Sequence, residues 1–159
     1  MSNAVWLHLS DWHQRGREFD RKAVRDALLT DLEKRESIDE RLAEIDFIVF
    51  SGDLAFSGAA EEYTAVAEEL LKPVLQGTRV PKNRLFIVPG NHDLERRTLR
   101  LLGSWLKLFQ TSAALNEALV NPRERAVLLQ PFRLLCSVCA RLLGYRCSAG
   151  ARLQLPCSL

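Results

Sequence analysis

The chain has 159 residues, 47% hydrophobic and 26% charged, with a formal net charge of +2. That is one domain's worth of chain, with enough apolar material to bury a core. No apolar run is long enough to span a bilayer, and the first residues lack the basic start and apolar stretch of a signal peptide, so a cytoplasmic protein is expected.

The charge is unevenly placed. Through Phe132, 18 Lys and Arg stand against 20 Asp and Glu; beyond it come Arg133, Arg141, Arg146 and Arg152 with no acid at all. Cys136, Cys139, Cys147 and Cys157 also lie there. Two regions are therefore expected, 1–132 as the folded unit and 133–159 as a tail of different composition. No basic stripe for nucleic acid appears in the first region.

In chain order, Val5 to Leu9 (VWLHL) is a strand that runs into Ser10-Asp11-Trp12-His13. A helix follows over about Asp20 to Glu36, with Asp20 as N-cap and a buried stripe of Val24, Ala27, Leu28 and Leu32. Residues 37–44 read as irregular or a short helical turn. Phe47 to Phe50 (FIVF) is a second strand and runs into Ser51-Gly52-Asp53. After Gly58 a strong helical period sets in at Tyr63, Val66, Ala67, Leu70, Leu71 and Val74. Glu61 and Glu62 suit its positive end, Pro73 should kink or end it, and Gly77 can close it in a left-handed turn. Leu85 to Val88 (LFIV) reads as a strand buried on both faces, stopped by Pro89-Gly90 and followed at once by Asn91-His92-Asp93.

Strands alternating with helices at this spacing predict a parallel sheet with helices packed on it. Beyond Asp93 only helices are expected. One is marked by Leu94, Thr98, Leu101, Leu102, Trp105 and Phe109, and one spans about Ser112 to Val120. Another starts at Asn121-Pro122 with Glu124 at its third position.

Three strands thus each end in residues that bind metals or move protons, where open α/β sheets present their chemistry. Asp11 and His13, two apart, face one ion together if the backbone stays extended. Asp53 follows a glycine. Asn91 offers a neutral oxygen beside His92 and Asp93. Each group alone has an ordinary reading as loop or turn; the set of three is specific.

Asp-x-His, Gly-Asp and Gly-Asn-His-Asp, each after an apolar strand, resemble the calcineurin-like metallophosphoesterase superfamily. The stretches LHLSDWHQ and IDFIVFSGDLAFSG look like its bacterial members. The resemblance covers about residues 4–132 and implies an αββα sandwich, of which this chain would hold the N-terminal β-α-β-α-β portion followed by helices. It implies hydrolysis of a phosphate mono- or diester by hydroxide activated at two divalent ions, Mn, Fe or Zn, about 3.5–4 Å apart. Asp11 and His13 would bind one ion, Asp53 would bridge, and Asn91 would bind the other. His92 would stabilise charge on the phosphate or protonate the leaving oxygen, and Asp93 would orient His92 or a ligand from behind, or else cap the next helix. The expected partner is a phosphate-ester substrate. Nucleic acid stays open as a substrate class, and further domains of a longer parent protein are expected.

Other residues have plainer readings. His8 reads as a packed core histidine. Arg15, Arg17, Arg96, Arg97 and Arg100 read as solvated, with phosphate steering as the sharper alternative. The cysteines read as reduced thiols rather than a zinc site, because their spacing is irregular and no histidine is near.

The sequence also departs from the family. No His follows His92 and no Asp follows Asp93, whereas the family completes its centre with later histidines. Phe56-Ser57 stands where phosphoprotein phosphatases carry Asp-Arg, which argues against that branch. About half a metal site and half a sandwich are therefore expected, with one bound ion or none, an open sheet edge and an uncovered apolar face. The composition change after Phe132 is consistent with a truncated or frameshifted form of a longer phosphoesterase. A non-catalytic binding or regulatory fragment that retains a half-site is the alternative.

Overall fold

The three apolar runs form a parallel sheet in the order β1-β2-β3: β1 is Trp6–Leu9, β2 Phe47–Ser51 and β3 Leu85–Val88. Trp6 pairs with Phe47 and Leu9 with Phe50; Ile48 pairs with Leu85 and Ser51 with Val88. This register brings the carboxyl ends of all three strands to one edge of the sheet. The computed structural model describes residues 3–15, 19–107 and 110–143.

The first crossover carries α1 (Phe19–Ile38) and a 3-10 turn, Glu40–Leu42, capped by the Asp39 carboxylate, which accepts from the Arg41 amide. α1 already includes Asp20, so that residue lies within the first turn rather than before it, and its side chain is outside the described residues. The packed stripe of α1 is Leu28, Leu29 and Leu32; Val24 and Ala27, expected inside, are exposed. Arg35 sits on the packed side and donates to the carbonyls of Leu32, Ala43 and Gly77, tying α1 to the second crossover.

That second crossover is one continuous helix in three parts: α2 (Ala60–Val66), a π-turn (Ala67–Leu71) and α3 (Lys72–Thr78). Pro73 does not end it. Proline lacks the amide of a regular α-turn and crowds the carbonyl four residues back, and the wider π-turn just before it relieves both demands. The left-handed residue that closes α3 is Arg79, at φ 61°, while Gly77 stays helical and lends its carbonyl to Arg35.

The core lies between one sheet face and these helices. Ile48, Phe50 and Leu85 from the sheet meet Leu32, Tyr63, Val66, Leu70 and Val74. The other face is aromatic and open: Trp6 is 55% exposed, Phe86 44% and Val88 55%, with Phe47 packed against both Trp6 and Phe86. β3 is therefore buried on one face rather than two. His8 is on this outer face too, exposed and stacked on Trp6, with its Nε2 2.6 Å from the Ser51 hydroxyl. It is not a core histidine, because strand alternation puts it opposite Leu7 and Leu9 and, among the described residues, no layer covers that side. The uncovered apolar face expected from the sequence is present.

After β3 come α4 (Arg96–Leu106), α5 (Ser112–Val120), α6 (Pro122–Leu128) and α7 (Arg133–Leu143). Asn121 caps α6 by accepting from the Arg123 amide, as its sequence predicts. Leu101 of α4 is exposed; the side chains of Trp105 and Phe109 lie outside the described residues. The composition changes at Phe132, but the packing does not: Leu135 and Val138 of α7 join the core. Cys136 and Cys139 are half-buried on α7, while Cys147 and Cys157 lie outside the described residues. Among the described residues no helix is long and apolar enough to cross a membrane.

Candidate metal centre

The three loops at the carboxyl edge are tied by their own backbones. The β1 loop runs beside the β2 loop: amides of Asp11, His13 and Gln14 donate to carbonyls of Gly52, Asp53 and Leu54 at 3.1, 2.8 and 2.9 Å. The Phe56 amide returns the pairing to Gln14, so a short parallel bridge, Gln14 to Ala55, extends the sheet past its last strand residues. Asp11, His13 and Asp53 are all left-handed, at φ 55°, 49° and 55°. Non-glycine residues pay for that conformation and hold it where the surroundings over-determine it, commonly at functional sites. Asp11 and His13 therefore share a direction because of these twists, not because the strand stays extended. Their side chains meet at 3.6 Å, Asp11 Oδ1 to His13 Nε2.

The third loop closes from β3. Gly52 and Gly90 let it come near: a Cβ on Gly90 would run into the Asp53 carboxylate and amide, and one on Gly52 would stand 3.2 Å from the Gly90 Cα. Only glycine fits at Gly90 without moving Asp53. The His92 amide donates to Asp53 Oδ1 at 2.8 Å. Asp53 Oδ2 lies 3.8 Å from His13 Nε2.

Three side chains converge as a result. Ligand atoms of His13, Asp53 and His92 all lie within 4.8 Å of one another. Two imidazoles and a carboxylate are a nitrogen and oxygen set suited to a divalent transition ion. His92 is oriented by Phe56: its Nδ1 is 2.8 Å from the Phe56 carbonyl and its ring stacks on the Phe56 ring at 5.2 Å, so Nε2 is the atom it offers to the centre. Asp11 lies beside His13 but outside this group of three. Asn91 opens the 3-10 turn Asn91–Asp93 and is exposed.

Asp93 is fully buried and works from behind. Its carboxylate accepts from the amides of Ala55 and Gly90, both at 2.9 Å, and of Leu54 at 3.3 Å. The Tyr63 hydroxyl donates to the Asp93 carbonyl at 2.7 Å and lies 3.3 Å from its carboxylate. Asp93 thus clamps the backbone that flanks Asp53 to the backbone that carries His92; it forms no hydrogen bond to the His92 ring. Burial, with the Asp93 carboxylate next, pushes the Tyr63 phenol far above its usual range, so it remains a donor.

Sequence reasoning missed three residues of this region. Phe56 looked like a departure from a motif, yet its ring and carbonyl set His92. Gln14 is almost wholly buried and carries the bridge between two loops. Glu62, read as a dipole partner, accepts from the amides of Ser57 and Ala59 and from the Ser57 hydroxyl, and so fixes the return of the Asp53 loop into α2. The glutamate three residues after the helix boundary was the available signal.

A parallel α/β sheet whose strand ends gather two histidines and a carboxylate defines a candidate metal-binding site. The sequence profile of the calcineurin-like phosphoesterases matches residues 6–136, and the chain belongs to that family. It is 32% identical over 97 residues to an uncharacterized metallophosphoesterase-like protein, YydB, of Bacillus subtilis (strain 168). That alignment covers 61% of this chain but only 19% of the relative, so the chain corresponds to a minor part of the longer protein's length.

Proposed function

We propose that this chain supplies the first half of a metal-dependent phosphoesterase centre that hydrolyses a phosphate mono- or diester in the cytoplasm. The observation that carries the reading is the convergence of His13, Asp53 and His92 from three strand ends, held by strained backbone and close glycine contact. The donor set fits one divalent ion, Mn, Fe or Zn, with Asp11 beside it, and Asn91 would contribute to a second. When bound, a divalent ion supplies positive charge at the phosphoryl group and an activated water.

The chain's own residues then have separable tasks. Asp53 holds its carboxylate towards His13 with one oxygen pinned by the His92 amide. His92 keeps Nδ1–H on the Phe56 carbonyl, which leaves Nε2 for one task at a time: a ligand to the ion or, when not ligated, a proton donor to the leaving oxygen. Asp93 holds the loops at fixed separation.

One fact favours a second reading, a binding or regulatory fragment: no histidine follows His92 to complete the donors of a second ion. Hydrolysis of p-nitrophenyl phosphate with added manganese separates the two. Turnover that needs manganese and disappears in Asp53→Asn supports the enzyme. A folded chain that binds manganese calorimetrically but turns nothing over supports the fragment, whose remaining ligands would come from further domains of a longer parent.

A further inference from the structure

The ring of Phe56 gathers more than His92. The Arg15 guanidinium carbon lies 3.6 Å from the ring centroid, and that of Arg96 lies 5.2 Å from it. Arg96 also donates from Nη2 to the Phe56 carbonyl, the same oxygen that faces His92 Nδ1. Arg15 comes from the β1 loop and Arg96 from the first turn of α4. Two cations distant in sequence are therefore held on one aromatic ring, which itself stacks on a residue of the metal centre.

Their surroundings are unusual. Among the described residues neither guanidinium forms an ion pair with a carboxylate, and both residues are exposed. Attraction to the ring face holds each cation in place. It does not cancel their charges. Bringing two like charges together is unfavourable, and an anion between them or against both offsets that cost. The guanidinium fork matches phosphate oxygens, which makes phosphate the natural anion.

We propose that Arg15 and Arg96, mounted on Phe56, form an anion subsite that takes a second phosphate of the substrate, next to the one held at the metal centre. The proposal rests on the phosphoesterase reading for its substrate, but its test does not. The subsite selects substrates with two neighbouring phosphates over simple monoesters. Those phosphates come either joined directly, as in a diphosphate, or joined through a sugar, as in a nucleotide chain.

Binding to metal-stripped protein tests it by calorimetry at low salt, with orthophosphate, pyrophosphate and a 5′-phosphorylated thymidine dinucleotide as probes. At least one of the two diphosphorylated probes binds tenfold or more tighter than orthophosphate, and which one identifies the source. Arg15→Gln/Arg96→Gln removes the advantage, and Arg15→Gln alone reduces it. Both arginines are exposed, so the variants stay folded, as far-UV circular dichroism reads. Equal affinity for all three probes overturns the proposal, as does an advantage that survives the double substitution. Absence of manganese-dependent turnover would refute the enzyme reading without altering this result.

Discussion

Replacing Asp93 tests whether the loops at the centre are held by one buried carboxylate. In Asp93→Ala the amides of Leu54, Ala55 and Gly90 lose their acceptor, and the Tyr63 hydroxyl keeps only the backbone carbonyl. A buried donor left unpaired costs about 1–3 kcal/mol. Three such donors, with partial relaxation and entry of water, give a loss of about 4 kcal/mol or more, a large share of the roughly 5–15 kcal/mol that holds a domain together. Asp93→Asn keeps the shape and one acceptor oxygen but turns an NH2 group towards backbone N–H groups; about 2–3 kcal/mol is expected, between the two extremes. Urea unfolding followed by circular dichroism reads both as a lower midpoint with an unchanged slope. Manganese binding to the folded fraction should weaken as well, because Asp53 and His92 lose their fixed separation. An Asp93→Ala midpoint within 1 kcal/mol of the parent, on the same slope, would mean that the clamp is not what holds the loops.

Other consequences are equally specific. Gly90→Ala forces its new Cβ against Asp53; manganese affinity should drop by tenfold or more while far-UV circular dichroism is kept, and unchanged affinity would refute the close-packing argument. The Tyr63 phenol is held above its usual range mainly by burial; the unfolded chain ionises near pH 10 and the folded one later, so stability present below that pH should fall as pH rises beyond it, and Tyr63→Phe should remove that slope. A side-chain hydrogen bond from Arg41 lowers Asp39 to about 2. Its stabilising contribution is present above the ordinary carboxylate range and is lost as pH falls through about 2. An NMR titration of Asp39 with a midpoint near 4, or one that Arg41→Ala fails to raise, would contradict that hydrogen bond.

What the residue order determined by itself is local. β-rich apolar runs of four or five residues became strands, the 3.6-residue period after Gly58 became helix, and Asn121-Pro122 began α6, because each follows from dihedral preference, capping and the faces of a single element. The motifs at the strand ends were legible for the same reason: their spacing is short, and a parallel sheet must bring carboxyl ends to one edge. The tertiary structure decided what depends on partners far along the chain. His8 and Val24 face outward because no layer among the described residues covers them, and the same strand or helix pattern would serve either burial. Asp11 and His13 converge through left-handed backbone that only pairing with the β2 loop sustains. Asp93 meets amides 38 and 39 residues away, and Phe56 gathers Arg15, His92 and Arg96 from separate elements. Such contacts are set by how loops stack on one another, a long-range property that no periodicity records.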